Sequence, residues 1–313
     1  MLRLFPDLSD DLLMRLYHKG AHVHWTSEDI DWEAPVSLDE RASLALARVL
    51  SPVYLGEQSA MVGAANILPQ LAMAGEATAQ LYLTTFISDE ARHFEVLTRL
   101  YHRLGYEPVS IRALPAMLRY HHRLRQGDRV DWVWGILISD LFAKHFYQMF
   151  SHAQENLLFG SMSQRILVDE SRHQAFCDHY LTGVMPHLGP ERRQALRSMR
   201  DELLSIMEDM QAVLGEDAEA LGFSGQEMLD RVMSDVAVHA RRIGLDGGPP
   251  PAGGRRQPGA EAVDLAARRR QRAAVEATDR PLQSRTTGRE CDCTACPIAA
   301  ICSSRLVRRA AAR

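Results

Sequence analysis

The residues Asp89-Glu90-Ala91-Arg92-His93 return eighty positions later as Asp169-Glu170-Ser171-Arg172-His173. Both copies lie in apolar, helix-patterned surroundings: Ile87, Phe94, Val96 and Leu97 flank the first, and Ile166, Leu167 and Phe176 the second. Residues three apart on a helix share a face, so Glu90 with His93, and Glu170 with His173, can grip one ion together. With 19 Glu and 13 His in 313 residues, about 0.8 Glu-x-x-His pairs arise by chance. A matching Asp and Arg in both copies makes coincidence roughly ten-thousandfold rarer. A solvated helix face is the alternative for one copy, but two copies on buried helices need positive charge to offset their carboxylates. A pair of divalent cations supplies it.

Two Glu-x-x-His helices are half of a dimetal site, and the other half is one carboxylate from each of two further helices. Glu57, 33 residues before Glu90, is the first. The second belongs on a helix at about 131–158. Asp140, flanked by Ile138, Leu141 and Phe142, is preferred over Asp131, near the helix start, and Glu155, too close to Glu170. Its short arm favours terminal binding over bridging. Lys144, one turn on, is expected to be a charge partner of Asp140 or a proton donor.

A metal-bound imidazole normally gives its other N–H to a carboxylate. Asp89 and Asp169 point about 100° from the neighbouring Glu. A crossed arrangement is therefore expected, with Asp89 holding His173, Asp169 holding His93, and Arg92 and Arg172 neutralising both.

Periodicity places helices at about 9–19, 37–72, 76–104, 112–125, 131–158, 162–185, 190–214 and 225–243. Ser37 and Glu40 read as a capping box for the second, and Pro52 predicts a kink or break within it. Residues 1–35 read as a short helix and an irregular segment that Trp25 and Trp32 pin to the body, and 36–243 as the helical domain. Residues 244–290, rich in Gly, Pro and Arg, read as a flexible linker with one short helix at 261–276. The tail, 291–313, carries Cys291, Cys293, Cys296 and Cys302, whose spacing fits an iron–sulfur cluster or zinc. Cys177 reads as a small buried hydrophobe.

The linker and tail are basic, with 13 Arg against 7 acids over 246–313. Almost no aromatic residues accompany them, which argues against nucleic acid as the partner. No apolar run is long enough to span a membrane, and the start lacks a secretory layout, so a cytoplasmic protein is expected. On the Glu57 helix Val53, Tyr54, Ala60, Met61, Gly63 and Ala64 either leave a void beside the metals or pack tightly against a neighbour. Trp132, Trp134, Tyr147 and Tyr180 read as core or rim aromatics.

Glu57, the two Asp-Glu-x-Arg-His groups and Asp140 together resemble the ferritin-like di-iron carboxylate superfamily. Their form is most similar to bacterial multicomponent monooxygenase hydroxylase subunits, and also to the ribonucleotide reductase small subunit. The resemblance covers about residues 36–185. It implies an all-α, ferritin-like four-helix bundle, here with extra helices, that binds two Fe ions (or Fe and Mn) and activates O2. It further implies oxidation of a small organic substrate, with electrons from the cysteine tail or from a donor such as a ferredoxin or reductase; a homodimer stays open. Leu97 stands where many reductase subunits carry a radical-forming Tyr, and Ile166 where arylamine N-oxygenases carry an extra His. A ferroxidase or rubrerythrin-like peroxide scavenger is the alternative, although the tail lacks paired Cys-x-x-Cys spacing.

Overall fold

The computed structural model describes residues 5–22, 25–153 and 157–247. The cysteine tail and the helix expected at 261–276 lie outside them. Eight α-helices follow in order: α1 Asp11–His22, α2 Glu40–Ala74, α3 Ala77–Leu104, α4 Pro115–Arg125, α5 Arg129–Ala153, α6 Leu157–Val184, α7 Pro190–Ala220 and α8 Gly225–Arg242. No strand occurs among the described residues, and no described helix is long and apolar enough to cross a membrane.

α2 and α3 form one antiparallel pair and α5 and α6 another; α2 packs on α5 and α3 on α6, closing a four-helix bundle. α1 lies on α3 and α6, α4 and α7 cover the α2–α5 side, and α8 rests on α5 and α7. α2 reverses into α3 through Gly75, and α3 ends at Gly105. Both adopt a left-handed conformation, φ 76° and 73°, that a side chain disfavours.

Several helix boundaries depart from the periodic reading. α1 continues through Gly20 because the missing side chain lets it lie against Thr85, whose Oγ1 a Cβ would meet at 2.8 Å. Asp39, not the Ser37–Glu40 box, caps α2, accepting from the Ala42 N–H at 2.8 Å. α2 also runs unbroken through Pro52 and Pro69. Near Pro52 the Ala47 carbonyl accepts from the hydroxyls of Ser51 and Tyr101, each at 2.8 Å. These donors tie the turn just before Pro52, whose missing N–H leaves the Arg48 carbonyl without its helical partner. α6 begins at Leu157 and passes through Gly160, and α7 continues past Gly215.

Gly63 settles the question of the small residues on α2. A Cβ there would overlap the Trp132 indole, so Gly63 serves close packing of α2 on α5. Gly63→Ala is expected to lower stability by about 1–3 kcal/mol, because overpacking outweighs the better helix propensity of Ala. Urea unfolding measures it; a gain in stability would show that Trp132 can give way.

Candidate metal centre

Each bundle helix brings its polar residues to one level. α2 contributes Glu57, α3 Glu90 and His93, α5 Asp140, and α6 Glu170 and His173. All six are at most 6% exposed. Their donor atoms converge in two groups, Glu57, Glu90, His93 and Glu170 in one, and Asp140, Glu170 and His173 in the other. Within each group these atoms lie within 4.8 Å of one another. Glu170 belongs to both: its Oε1 lies 3.6 Å from His93 Nδ1 and its Oε2 3.4 Å from His173 Nδ1. Glu90 Oε1 also reaches across, 3.1 Å from His173 Nδ1.

The two imidazoles are oriented from behind. His93 Nε2 lies 3.2 Å from Asp169 Oδ2, and His173 Nε2 lies 3.4 Å from Asp89 Oδ2, which is the crossed pattern. Arg92 donates to Asp89 at 2.5 Å and to Asp169 at 2.7 Å. Arg172, 1% exposed, does the same at 2.8 and 2.7 Å. Each guanidinium therefore ties both aspartates, and so ties α3 to α6.

Six buried carboxylates face two guanidinium groups here, which leaves four negative charges, the charge that two divalent cations neutralise. The protein alone answers that surplus with protons. Burial and the charge of Glu57 push Glu90 well above the usual carboxylate range, and burial with the charge of Glu170 does the same to Asp140. Burial works to lower both histidines, but the surrounding carboxylates raise His93, and Tyr82 with Glu170 and Asp89 raises His173, well above the ordinary value. Asp89 and Asp169 are held low: burial opposes this, but the hydrogen bonds from His173 and His93 and the arginine charges prevail.

Whether these residues fit metal ions is tested by their unpaired atoms. Glu90 Oε1, His93 Nδ1, Asp140 Oδ2, Glu170 Oε2 and His173 Nδ1 are all buried without a hydrogen-bond partner. Such groups are costly to bury unpaired. Mixed carboxylate and imidazole donors suit iron and manganese. The set fits.

A small cavity of about 30 Å³ opens beside the carboxylates, between α2 and α5, its wall completed by Val53, Ala60, Ile136, Ser139 and Ala143. Ala60 and Val53 thus border free space, whereas Tyr54 stacks on Phe94 with ring centroids 4.8 Å apart.

Other expectations change. Lys144 does not pair with Asp140; its ammonium reaches over to α8 and donates to Asp235 at 2.8 Å, with His145 on the same oxygen at 3.0 Å. Asp131, the weighed alternative to Asp140, sits in the first turn of α5 and pairs with Arg192 at 2.9 Å. Glu155 lies outside the described residues.

Two aromatic residues do more than their sequence context suggested. Trp25 donates its indole N–H to Asp169 Oδ2 at 2.8 Å, on the oxygen that faces His93. Its ring stacks on His93 with centroids 6.2 Å apart, and Arg92 lies over it at 4.9 Å. Tyr147, two turns after Asp140, has a buried hydroxyl without a hydrogen-bond partner. Burial first, then the charges of Glu57, Glu170 and Glu90, push its phenol well up, so it borders the same group. Nothing in the spacing of either residue marks it. Trp132 and Trp134 are core, Trp134 donating to the Leu196 carbonyl at 3.2 Å, and Tyr180 binds Glu76 at 2.8 Å.

The fold is an all-α, ferritin-like helical bundle, shared with several solved structures. Among solved structures, an R2-like ligand-binding oxidase with an aerobically reconstituted Mn/Fe cofactor is 20% identical, with a TM-score of 0.59 over 76% of this chain and 94% of that one. A second structure of an R2-like ligand-binding oxidase, after photoconversion, is 17% identical with a TM-score of 0.62 over 76% and 94%. A protein from Synechococcus with aldehyde deformylating oxidase activity is 16% identical, with a TM-score of 0.56 over 66% and 94%. Neither a protein-family model nor a curated protein sequence matches the chain.

Proposed function

We propose that the chain is an O2-dependent oxidoreductase whose two metal ions, Fe/Fe or Fe/Mn, are held by Glu57, Glu90, His93, Asp140, Glu170 and His173. The observation that carries the reading is the pair of buried donor groups sharing Glu170, with a void beside them. Bound there, the metals supply the reduction of O2 and the oxidising power for a small organic substrate, by monooxygenation or two-electron oxidation.

The remaining roles belong to side chains. Asp89 and Asp169 hold the imidazoles with Nδ1 turned inward, and Arg92 and Arg172 keep those aspartates ionised. Val53, Ala60, Ile136 and Ala143 give the adjoining cavity one apolar wall beside its carboxylates and Ser139. Trp25, Asp169 and His93 form one hydrogen-bonded chain from the rim of the fold to the centre, a path for electrons from an external donor. The thiols of Cys291, Cys293, Cys296 and Cys302 are proposed to hold an iron–sulfur cluster or zinc; in the first case the tail is itself a candidate donor.

Anaerobic loading with Fe(II), followed by O2 in the presence of a reductant and a panel of apolar substrates, tests this. Expected is O2 uptake matched to an oxidised organic product, absent in Glu170→Ala. Uptake matched to Fe(III) release or peroxide consumption alone would move the assignment to a ferroxidase or a peroxide scavenger.

A further inference from the structure

Across the chain 24% of residues are charged, yet residues 49–94, most of α2 and α3, hold five. Glu57, Asp89, Glu90 and Arg92 belong to the metal centre. Glu76, at the turn, is tied to Arg129 at 2.9 Å and to Tyr180 at 2.8 Å. The outer face of the pair therefore carries no charge. On α2 a stripe runs from Leu55 to Met73 through Ser59, Val62, Asn66 and Pro69, in steps of four and three that keep to one side over about 30 Å. Its last four residues are exposed, Val62 by 48% and Met73 by 64%. On α3 the exposed positions are Thr84, Ser88 and Ala91.

Solvated helix faces normally carry charge. Elsewhere on this protein they do: Val213 of α7 lies one turn from Asp209 and Glu216, and Leu118 of α4 adjoins Arg119. Loss of charge is instead the mark of the core of a protein–protein contact. Two antiparallel helices present a face of about 30 by 20 Å, so a partner laid on it buries about 600 Å² per chain, about 1,200 Å² in all, the lower end of a stable specific contact.

Charge also selects the occupant. A two-fold contact sets a patch against itself, so a charged patch would meet its own sign. Once the +6 of residues 246–313 is set aside, the −4 of the whole chain leaves −10 on residues 1–245. That surplus repels a second copy in general, and the α2–α3 face is free of it. A lipid surface fits less well. Helices that lie on membranes carry Lys or Arg along the polar flank, and residues 49–94 hold only Arg92, committed to Asp89 and Asp169.

We propose that a second copy of the chain covers this face, in a two-fold dimer that packs α2 and α3 of one protomer on α2 and α3 of its partner. Val62 and Met73 turn into the contact. Glu57 lies on the opposite side of α2, so each metal centre stays within its own chain. The contact itself needs no metal and no O2 chemistry.

Sedimentation velocity of the full-length chain, metal-loaded and metal-free, from about 1 to about 50 µM is the test. Wild type is expected at twice its 35.1 kDa. Val62→Glu enters a two-fold contact twice, so it should weaken the dimer at least about a hundredfold. Met73→Glu should act in the same direction. Val213→Glu, on α7, should stay dimeric. Circular dichroism confirms that all three variants keep their helices. A wild-type monomer at about 50 µM overturns the proposal, and one that floats with phosphatidylcholine vesicles gives the face to lipid instead. A dimer left intact by both Val62→Glu and Met73→Glu places the contact elsewhere and overturns it as well. Equal dissociation by Val213→Glu would mean that added charge, rather than this face, is what matters.

Discussion

Glu170→Ala is expected to lose both metal ions together. Its two oxygens face His93 and His173 separately, 3.6 and 3.4 Å away, so a single truncation removes a donor from each group. Affinity for both ions should fall by at least about a hundredfold, beyond the 10–100-fold typical of losing an outer hydrogen-bond partner. Glu57→Ala, which touches only the group containing His93, should weaken one ion more than the other. The metal-free proteins should behave in the opposite sense. Removing one of several crowded carboxylates relieves repulsion and desolvation, so metal-free Glu170→Ala should be more resistant to urea than metal-free wild type. Metal analysis after desalting and urea titration read the two effects. One ion kept at full affinity in Glu170→Ala would remove the shared ligand from the account.

Arg172→Leu is expected to be the most destabilising single change near the centre. The side chain is 1% exposed and bonds Asp89 and Asp169 at 2.8 and 2.7 Å. Without it, Arg92 is the one guanidinium left to neutralise two buried carboxylates. Breaking such a pair from one side costs about 3–5 kcal/mol. Arg172→Lys should recover only part, since an ammonium lacks the planar fork that spans two carboxylates. The double variant Asp89→Asn with Arg172→Leu should be less destabilised than the sum of the single changes. The same cluster fixes a pH dependence. The folded-state values of Asp89 and Asp169 lie below their unfolded value of about 3.9, so their stabilisation is fully present above that pH and fades as the pH falls through the lower folded values. In Arg172→Leu that acid limb should shrink. Urea unfolding from about pH 6 down to about pH 2, which brackets the fall below the unfolded carboxylate value, measures both; a loss below about 1 kcal/mol would mean that the guanidinium is dispensable.

The bundle and the inner residues were legible because they follow from spacing along single helices. Glu90 with His93 and Glu170 with His173 are fixed by the three-residue step, and the crossed aspartates by their 100° offset. What escaped depends on where helices meet. Lys144 is expected to pair with Asp140 from its place one turn along α5, yet Asp235 on α8 is its partner. Gly63 was readable only as small until Trp132 was seen against it. Trp25 belongs to an irregular segment, and its bond to Asp169 spans 144 positions, with no pattern in either stretch to announce it. Pro52 was expected to bend or end α2, but hydroxyls of Ser51 and of distant Tyr101 tie the turn just before it. The break expected between 158 and 162 does not form; α6 starts at Leu157 and passes through Gly160.

Anomalous diffraction at the iron edge, from crystals of the Fe(II)-loaded chain, addresses the central claim most directly. Two peaks are predicted on either side of the Glu170 carboxylate, one beside His93 Nδ1 and the other beside His173 Nδ1. A single peak, or iron bound only away from these imidazoles, would contradict the dimetal centre.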